Sequence, residues 1–283
     1  MGEISEALRR ARAADDQRPV PAVDPVVIQP QPQPHAAPTP AVVEARMRAA
    51  EHVDSPPRTR EGLWSPRALF VEDHGAAAES ARHLALRVRS ELERRHLRSV
   101  AVISALHDEG KTTVAGNLAI ALCSLSPSRS VAIVDLDLRR PSLAKALSVT
   151  ARVGIDDVVA GDKPLDEACI SFDHPLLDAY PVRQPRASAH ELLVRPTLAS
   201  TLRELERRYE VVVIDTPPVL LVPDTPILLE QMSAAVAVAR AGRSRTQAFK
   251  RMCEMIPAGK LIGAVLDEGR LPAKAASYRY YEQ

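Results

Sequence analysis

No stretch of the 283-residue chain approaches 18 uninterrupted apolar residues, so the sequence contains no candidate membrane-spanning helix. The N-terminus also lacks the basic-then-apolar order of a secretion signal. The expectation is a cytoplasmic protein, with any membrane role supplied by a partner. Charge of one sign is equally scarce: 37 Lys and Arg stand against 36 Asp and Glu, a formal net charge of +1. That balance gives no electrostatic case for nucleic acid as a partner, although the pairs Arg94-Arg95 and Arg139-Arg140 call for local explanations. Cysteine is limited to Cys123, Cys169 and Cys253, which are far apart and lack metal-ligand spacing, and they are read as small apolar residues in a reducing compartment. Aromatic residues make up only 3% of the chain, yet three of the five tyrosines, Tyr278, Tyr280 and Tyr281, fall within four residues near the C-terminus.

Composition divides the chain unevenly. From Pro19 to Pro66 it is crowded with proline and alanine, includes Pro30-Gln31-Pro32-Gln33-Pro34, and sustains no period of 2 or 3.6. Residues 1–75 are therefore read as a disordered Pro/Ala-rich arm with weak helical character over Ile4 to Ala14. Residues 76–270 are read as one folded domain and residues 271–283 as a flexible tail.

Within the folded part, helical and strand patterns alternate. Glu79 to Arg95 reads as an amphipathic helix with Leu84, Val88 and Leu92 on one stripe, followed by a strand over Ser99 to Ser104. Next come a helix over Val114 to Leu122, a strand over Ser130 to Val134 and a mixed region from Pro141 to Gly161. A helix from Leu193 to Arg208 leads into the strand Val211 to Ile214, with further strands at Ala234 to Ala239 and Leu261 to Leu266. Apolar strands separated by helices predict an α/β fold with a mostly parallel central sheet and helices on both faces. Ligand is expected at the carboxyl ends of the strands.

The segment Asp108-Glu109-Gly110-Lys111-Thr112-Thr113 lies between the apolar run Val100 to Ile103 and a helix start. Strand, tight turn and helix N-terminus in that order make an anion site, because unpaired amides and aligned peptide dipoles both favour phosphate oxygens. The amides from Glu109 to Thr113 are expected to line the turn, Lys111 to span the β and γ oxygens, and the Thr112 hydroxyl to coordinate magnesium. ATP and Mg2+ are thus the expected cofactors. Ala105 stands where a general phosphate loop has glycine, which is acceptable if the backbone there avoids positive φ. The Asp108 carboxylate needs to point outward or pair with a base such as Arg140, since like charge penalises a bound phosphate.

Two more segments bring carboxylates to strand ends. In Val134-Asp135-Leu136-Asp137-Leu138-Arg139-Arg140-Pro141 both acids can reach the mouth, and in Ile214-Asp215-Thr216-Pro217-Pro218 the aspartate closes a β-branched strand. Acids at the ends of separate parallel strands beside a Gly-Lys-Thr loop have the placement of magnesium-organising carboxylates.

These segments resemble the bacterial polysaccharide-biosynthesis tyrosine autokinases, a family of deviant phosphate-loop ATPases. Ser104 to Thr112 matches the family's Ser-x-x-Pro-Gly-Glu-Gly-Lys-(Ser/Thr), with His107 and Asp108 replacing Pro-Gly. Val134 to Pro141 matches Ile-Asp-x-Asp-Leu-Arg-x-Pro, and Asp215 to Pro218 matches Asp-Thr-Pro-Pro, with Asp224 beyond it. Val153 to Gly161 and Glu191-Leu192-Leu193 resemble further family segments, and Asp267 stands where the family has an adenine-reading Asn. The resemblance implies phosphoryl transfer from Mg-ATP to tyrosine. Lys111, Asp135, Asp137 and Asp215 are the implied catalytic residues, Thr112, Asp137 and Asp215 the metal-organising ones, and Arg140 lies near the mouth. Asp135 is the candidate to orient or deprotonate the incoming hydroxyl. The implied phosphoacceptors are Tyr278, Tyr280 and Tyr281, entering a neighbouring subunit's site.

The resemblance further implies self-association into a ring through a Glu-x-x-Arg-x-x-Arg helix, represented here by Glu79, Arg82 and Ala85, with Arg87 nearby. It also implies an activating partner, the cytoplasmic tail of a membrane polysaccharide copolymerase, which would recruit the chain to the inner face of the plasma membrane. Two other readings of the motifs stand beside the kinase. A partitioning-type switch ATPase is disfavoured because Leu106 occupies the place of its signature lysine. The second is a non-catalytic nucleotide-binding scaffold, toward which His107, Asp108, Ala85 and Asp267 all point.

Overall fold

The structure, a computed structural model, describes residues 76–125, 130–173, 176–223 and 225–268. The chain divides into two units, Met1–Val53 and Asp54–Gln283, and the described residues all belong to the second. The expected disordered arm, Asp224 and the tyrosine-bearing tail lie outside the described residues.

Helix α1 (Ala76–Arg95) leads to β1 (Ser99–Ser104), and α2 (Lys111–Leu125) to β2 (Val131–Asp135). Short helices α3 (Leu143–Ala146) and α4 (Ile155–Ala160) precede β3 (Ile170–Asp173) and β4 (Leu176–Tyr180). Then follow α5 (Ala189–Leu193), α6 (Pro196–Arg208), β5 (Val211–Asp215), α7 (Thr225–Gln231), β6 (Ala234–Arg240), α8 (Thr246–Met255) and β7 (Leu261–Asp267). The strands form one sheet in the order β3-β4-β2-β5-β1-β6-β7. Every pairing is parallel except β3 with β4. The expected α/β architecture, a mostly parallel sheet between helical layers, is therefore present.

Alternation along the strands builds two cores. On β1, Val100 and Val102 face one cluster with Val88 and Leu92 of α1 and Leu118 of α2. Ala101 and Ile103 face the opposite cluster with Leu198, Leu202 and Leu205 of α6. Successive residues of a strand point to opposite sides, so a strand apolar at every position is one that is covered on both faces. β1, β2 and β5 are buried throughout.

The sequence reading needs three corrections. The helix predicted from Leu193 to Arg208 is two helices, because Pro196 opens α6 at its first turn and Arg195 before it is extended, with φ −69° and ψ 145°. A proline has no amide to continue a helix and disfavours helical backbone in the residue before it. The antiparallel pair β3 and β4 was not anticipated, nor were α7 and α8.

The buried stripe of α1 includes Ala85 as well as Val88 and Leu92. At 0% exposure, Ala85 is a contact between α1 and the sheet side of the molecule rather than a site for an outward cation, whereas Arg87 is exposed. Replacing Ala85 with Arg is expected to destabilise the fold by about 1–3 kcal/mol, as overpacking does, and to lower the midpoint of thermal unfolding. An unchanged midpoint would show that this face of α1 has room for a long side chain.

Candidate functional site

The site is assembled at the carboxyl ends of β1, β2 and β5. These strands run parallel with Ala101 beside Ile214, Val102 beside Asp215, and Asp135 beside Asp215. Asp135 and Asp215 are register partners on adjacent strands, so their carboxylates emerge on the same side. Backbone hydrogen bonds then join the three following loops. The Leu136 amide donates to the Asp215 carbonyl at 2.8 Å, and the Val219 and Leu220 amides donate to the carbonyls of Ser104 and Ala105 at 2.9 and 3.2 Å. Buried Thr216 donates its hydroxyl to the Val102 carbonyl at 2.9 Å.

The loop between β1 and α2 turns through two left-handed residues, Asp108 at φ +59° and Gly110 at φ +89°. Ala105 is not among the positive-φ residues, which explains why a side chain is accepted there. Aspartate is one of the few side-chain-bearing residues that tolerate the left-handed region. Gly110 has a second reason to be glycine: a Cβ built on it would fall 2.2 Å from Asp267 Oδ2. The expected base-reading residue thus lies against the phosphate loop. Burial raises the Asp267 pKa above the ordinary carboxylate range, the Glu268 charge adds to this, and Arg240 opposes it.

Helix α2 begins immediately after the turn, and its first helical hydrogen bond runs from the Val114 amide to the Gly110 carbonyl at 2.9 Å. The amides of Lys111, Thr112 and Thr113 precede that bond and belong to the set that a helix leaves without internal partners. The Thr112 hydroxyl donates to Asp215 Oδ2 at 2.5 Å and therefore accepts from the Ser142 hydroxyl at 2.6 Å. Lys111 Nζ stands 3.7 Å from Asp215 Oδ1, its side chain only 10% exposed. That Oδ1 atom is buried and accepts no hydrogen bond. A buried carboxylate oxygen without a donor is suited to accept one from a metal-bound water, so this donor set fits magnesium arriving with a nucleotide, which needs few protein ligands of its own.

Asp135 is 0% exposed. Its Oδ1 accepts from the Asp137 amide at 3.0 Å, and its Oδ2 from the Ser142 and Leu143 amides at 3.2 and 3.1 Å. Burial pushes its pKa up to about 8, the Asp215 charge adds to the rise, and the amide donors oppose it. Asp215 is also raised, by burial first, against the pull of Lys111 and Thr112. Asp137, 5% exposed, accepts the Arg140 amide at 3.0 Å, while the Arg139 and Arg140 side chains are exposed at the rim.

Several contributors were not legible in the motifs. The Glu109 side chain, 2% exposed, accepts the Leu106 amide at 2.7 Å and the Ser244 hydroxyl, so it braces the loop from within. Ser244 in turn accepts the Arg240 amide at 2.8 Å. Asp108 pairs with Arg243 at 2.8 Å rather than with Arg140. On the other side of the site, the Arg186 amide donates to the Leu138 carbonyl at 2.8 Å while the side chains of Arg183 and Arg186 close on Asp156 and Asp157. Those ion pairs tie the loop after β4 to α4, and the Arg186 amide ties it to the loop after β2.

A glycine-containing turn at a helix N-terminus, with carboxylates closing the two neighbouring strands, defines the class of fold: a P-loop NTPase-like α/β domain. No protein-family model matches the chain. The chain is 29% identical over 189 residues to tyrosine-protein kinase YwqD of Bacillus subtilis, covering 66% of this chain and 78% of that protein. It is 26% identical over 210 residues to the succinoglycan biosynthesis transport protein ExoP of Rhizobium meliloti, covering 72% of this chain but 25% of that protein. The chain spans a quarter or less of the length of several such longer relatives. Among solved structures, the VpsO kinase domain aligns at a TM-score of 0.59 and 27% identity, over 69% of this chain and 97% of that one. In sequence and fold the chain is thus similar to bacterial tyrosine-protein kinases.

The raised pKa values of Asp135 and Asp215 carry a consequence for stability. Above the ordinary carboxylate pKa the unfolded chain has released these protons while the native chain still holds them, so stability falls as pH rises through this interval. The metal-free chain should lose thermal stability between about pH 5 and about pH 8, and the slope should be shallower in Asp215→Asn, which relieves Asp135 of its neighbouring charge. Equal slopes in the two proteins, read by thermal unfolding across that range, would contradict the coupling.

Proposed function

We propose that this chain is an ATP-dependent protein-tyrosine autokinase of a capsular or exopolysaccharide pathway, and that its C-terminal Tyr278, Tyr280 and Tyr281 are phosphorylated in trans. The observation that carries the reading is the convergence on Asp215: the Thr112 hydroxyl reaches one carboxylate oxygen at 2.5 Å and Lys111 Nζ stands 3.7 Å from the other, at the first turn of α2. The names of YwqD, a tyrosine-protein kinase, and ExoP, a succinoglycan biosynthesis transport protein, support the chemistry and the pathway.

In the proposed reaction a tyrosyl oxygen bonds to the γ-phosphorus of ATP, the bond from that phosphorus to the bridging β–γ oxygen breaks, and ADP leaves with that bond's electron pair. Lys111 and the amides of Glu109 to Thr113 hold the phosphate oxygens and stabilise charge that gathers on them. Thr112 and Asp137 would hold magnesium directly or through water, and Asp215 would order its bound water. Bound with the nucleotide, magnesium supplies neutralisation of phosphate charge. The phenolic proton goes to Asp135, whose raised pKa makes it a stronger base than an ordinary carboxylate. To reach that proton the Asp135 carboxylate must turn from the Ser142 and Leu143 amides that it accepts in this structure. Arg140 lies at the rim of the mouth, and Asp267 contributes to holding the nucleotide from its place on Gly110.

Among the described residues no helix is long and apolar enough to cross a membrane. The proposed place of action is the cytoplasm, at the inner face of the plasma membrane, with the cytoplasmic tail of a polysaccharide copolymerase as recruiting and activating partner. Ring assembly through α1 and its dispersal by tail phosphorylation complete the proposed cycle. Nucleic acid has no part in it.

Intact-mass analysis after incubation with Mg-ATP, with and without candidate copolymerase tails, tests the reading. The full-length chain should gain whole phosphates, while a chain truncated after Ser277 and the Lys111→Met variant should gain none. Undiminished phosphorylation of Lys111→Met would overturn the mechanism. Nucleotide binding without any mass gain under these conditions would reassign the chain to a non-catalytic scaffold.

A further inference from the structure

The phosphate loop carries an anionic side chain at one of its two left-handed residues. Asp108 has φ +59° and is exposed, two residues before Gly110 and three before Lys111. Glutamate at the next position is buried and fully engaged with Leu106 and Ser244. The charge of Asp108 is therefore the loop charge that faces solvent and any incoming anion. Its Oδ2 accepts from Arg243 Nη2 at 2.8 Å, and its carbonyl accepts from Arg240 Nη1 at 3.3 Å. The Arg240 guanidinium is engaged with Glu268 through Nε and Nη2, so it is not a substitute partner for the Asp108 carboxylate.

Arg243 sits in the turn after β6, where Gly242 takes φ +72° and Ser244 is anchored to both Arg240 and Glu109. The residue next to Arg243 is thus fixed to the phosphate loop by a partly buried contact, which keeps the guanidinium beside Asp108. As a contribution to folding the pair is small, since both side chains are more than half exposed. Its effect on a bound triphosphate is of another kind. An unpaired carboxylate beside the loop repels phosphate oxygens, and the repulsion is screened by salt.

We propose that Arg243 is a positioning residue for nucleotide binding, which pairs with Asp108 to keep that carboxylate neutralised and turned from the phosphate cradle. This rests on the nucleotide-binding reading given above. The chain thereby uses an aspartate where the loop needs left-handed backbone and cancels the charge from a turn more than 130 residues away. Asparagine also tolerates the left-handed region and carries no charge, so Asp108→Asn removes the charge while keeping the turn.

The experiment is a double-mutant cycle on the full-length chain, reading the Kd of a fluorescent ATP analogue with magnesium, with Lys111→Met as the control that binding occurs at the cradle. At about 0.05 M salt Arg243→Gln should bind roughly three- to tenfold more weakly than the wild type, and the deficit should shrink at about 0.5 M. Asp108→Asn should bind at least as tightly as the wild type, and adding Arg243→Gln to it should cause no further loss. Thermal midpoints of all variants should stay close together, which separates the effect from folding. Wild-type affinity in Arg243→Gln would overturn the inference while leaving the nucleotide site intact. A double variant as weak as Arg243→Gln would also overturn it, because Arg243 would then act on phosphate directly rather than through Asp108. Absence of binding by the wild-type chain would overturn the nucleotide-binding reading and this inference with it.

Discussion

The side-by-side placement of Asp135 and Asp215 on neighbouring parallel strands is the constraint around which the rest of the site is arranged. Two carboxylates in register at 0% exposure repel one another and lose their hydration. The surrounding structure answers each charge differently. Asp135 receives three backbone amides from its own loop. Asp215 receives the first turn of α2, with the Thr112 hydroxyl on one oxygen and the Lys111 ammonium near the other. Since Thr112 also meets Ser142, whose amide is held by Asp135, the two acids are linked through a short chain of polar contacts. The position of the phosphate loop thus follows from the need to compensate buried charge as well as from the course of β1.

Much of this was legible in the sequence wherever the signal was local. Val211 to Ile214 is a continuous β-branched run bounded by polar residues, and such a run is read as a covered strand without knowledge of its neighbours. The order strand, Gly-Lys-Thr, helix likewise located α2, and the acids at positions 135, 137 and 215 fell at strand ends. The illegible parts depended on distance. Ser244 and Arg243 meet the phosphate loop across 135 residues of chain, and nothing in the motif indicates a partner at that separation. Strands β3 and β4 are short edge elements whose pairing is antiparallel, and Ile170 to Asp173 mixes polar with apolar residues too briefly to show a period. Pro196 was visible, yet the predicted helix ran across it.

The departures of this chain from the loop of the family it resembles also find physical explanations. Asp108 replaces a glycine at a left-handed position, the kind of exchange that aspartate accommodates better than almost any other side chain. Ala105 lies outside the strained part of the turn. Asp267 occupies the space that a Cβ on Gly110 would fill, so glycine there is required by packing as well as by backbone angle. Support for the loop therefore comes from the ends of β6 and β7, where Ser244, which donates to loop residue Glu109, and Asp267, against Gly110, brace the turn.

The central claim is that the Lys111, Thr112 and Asp215 cluster is a cradle for a magnesium-bound nucleotide. Calorimetric titration of the purified chain with ADP, in the presence of magnesium and again with the metal chelated, tests it most directly. The account predicts saturable binding with magnesium and a marked loss of affinity without it. Absence of binding in both conditions, or equal affinity in both, would contradict the account.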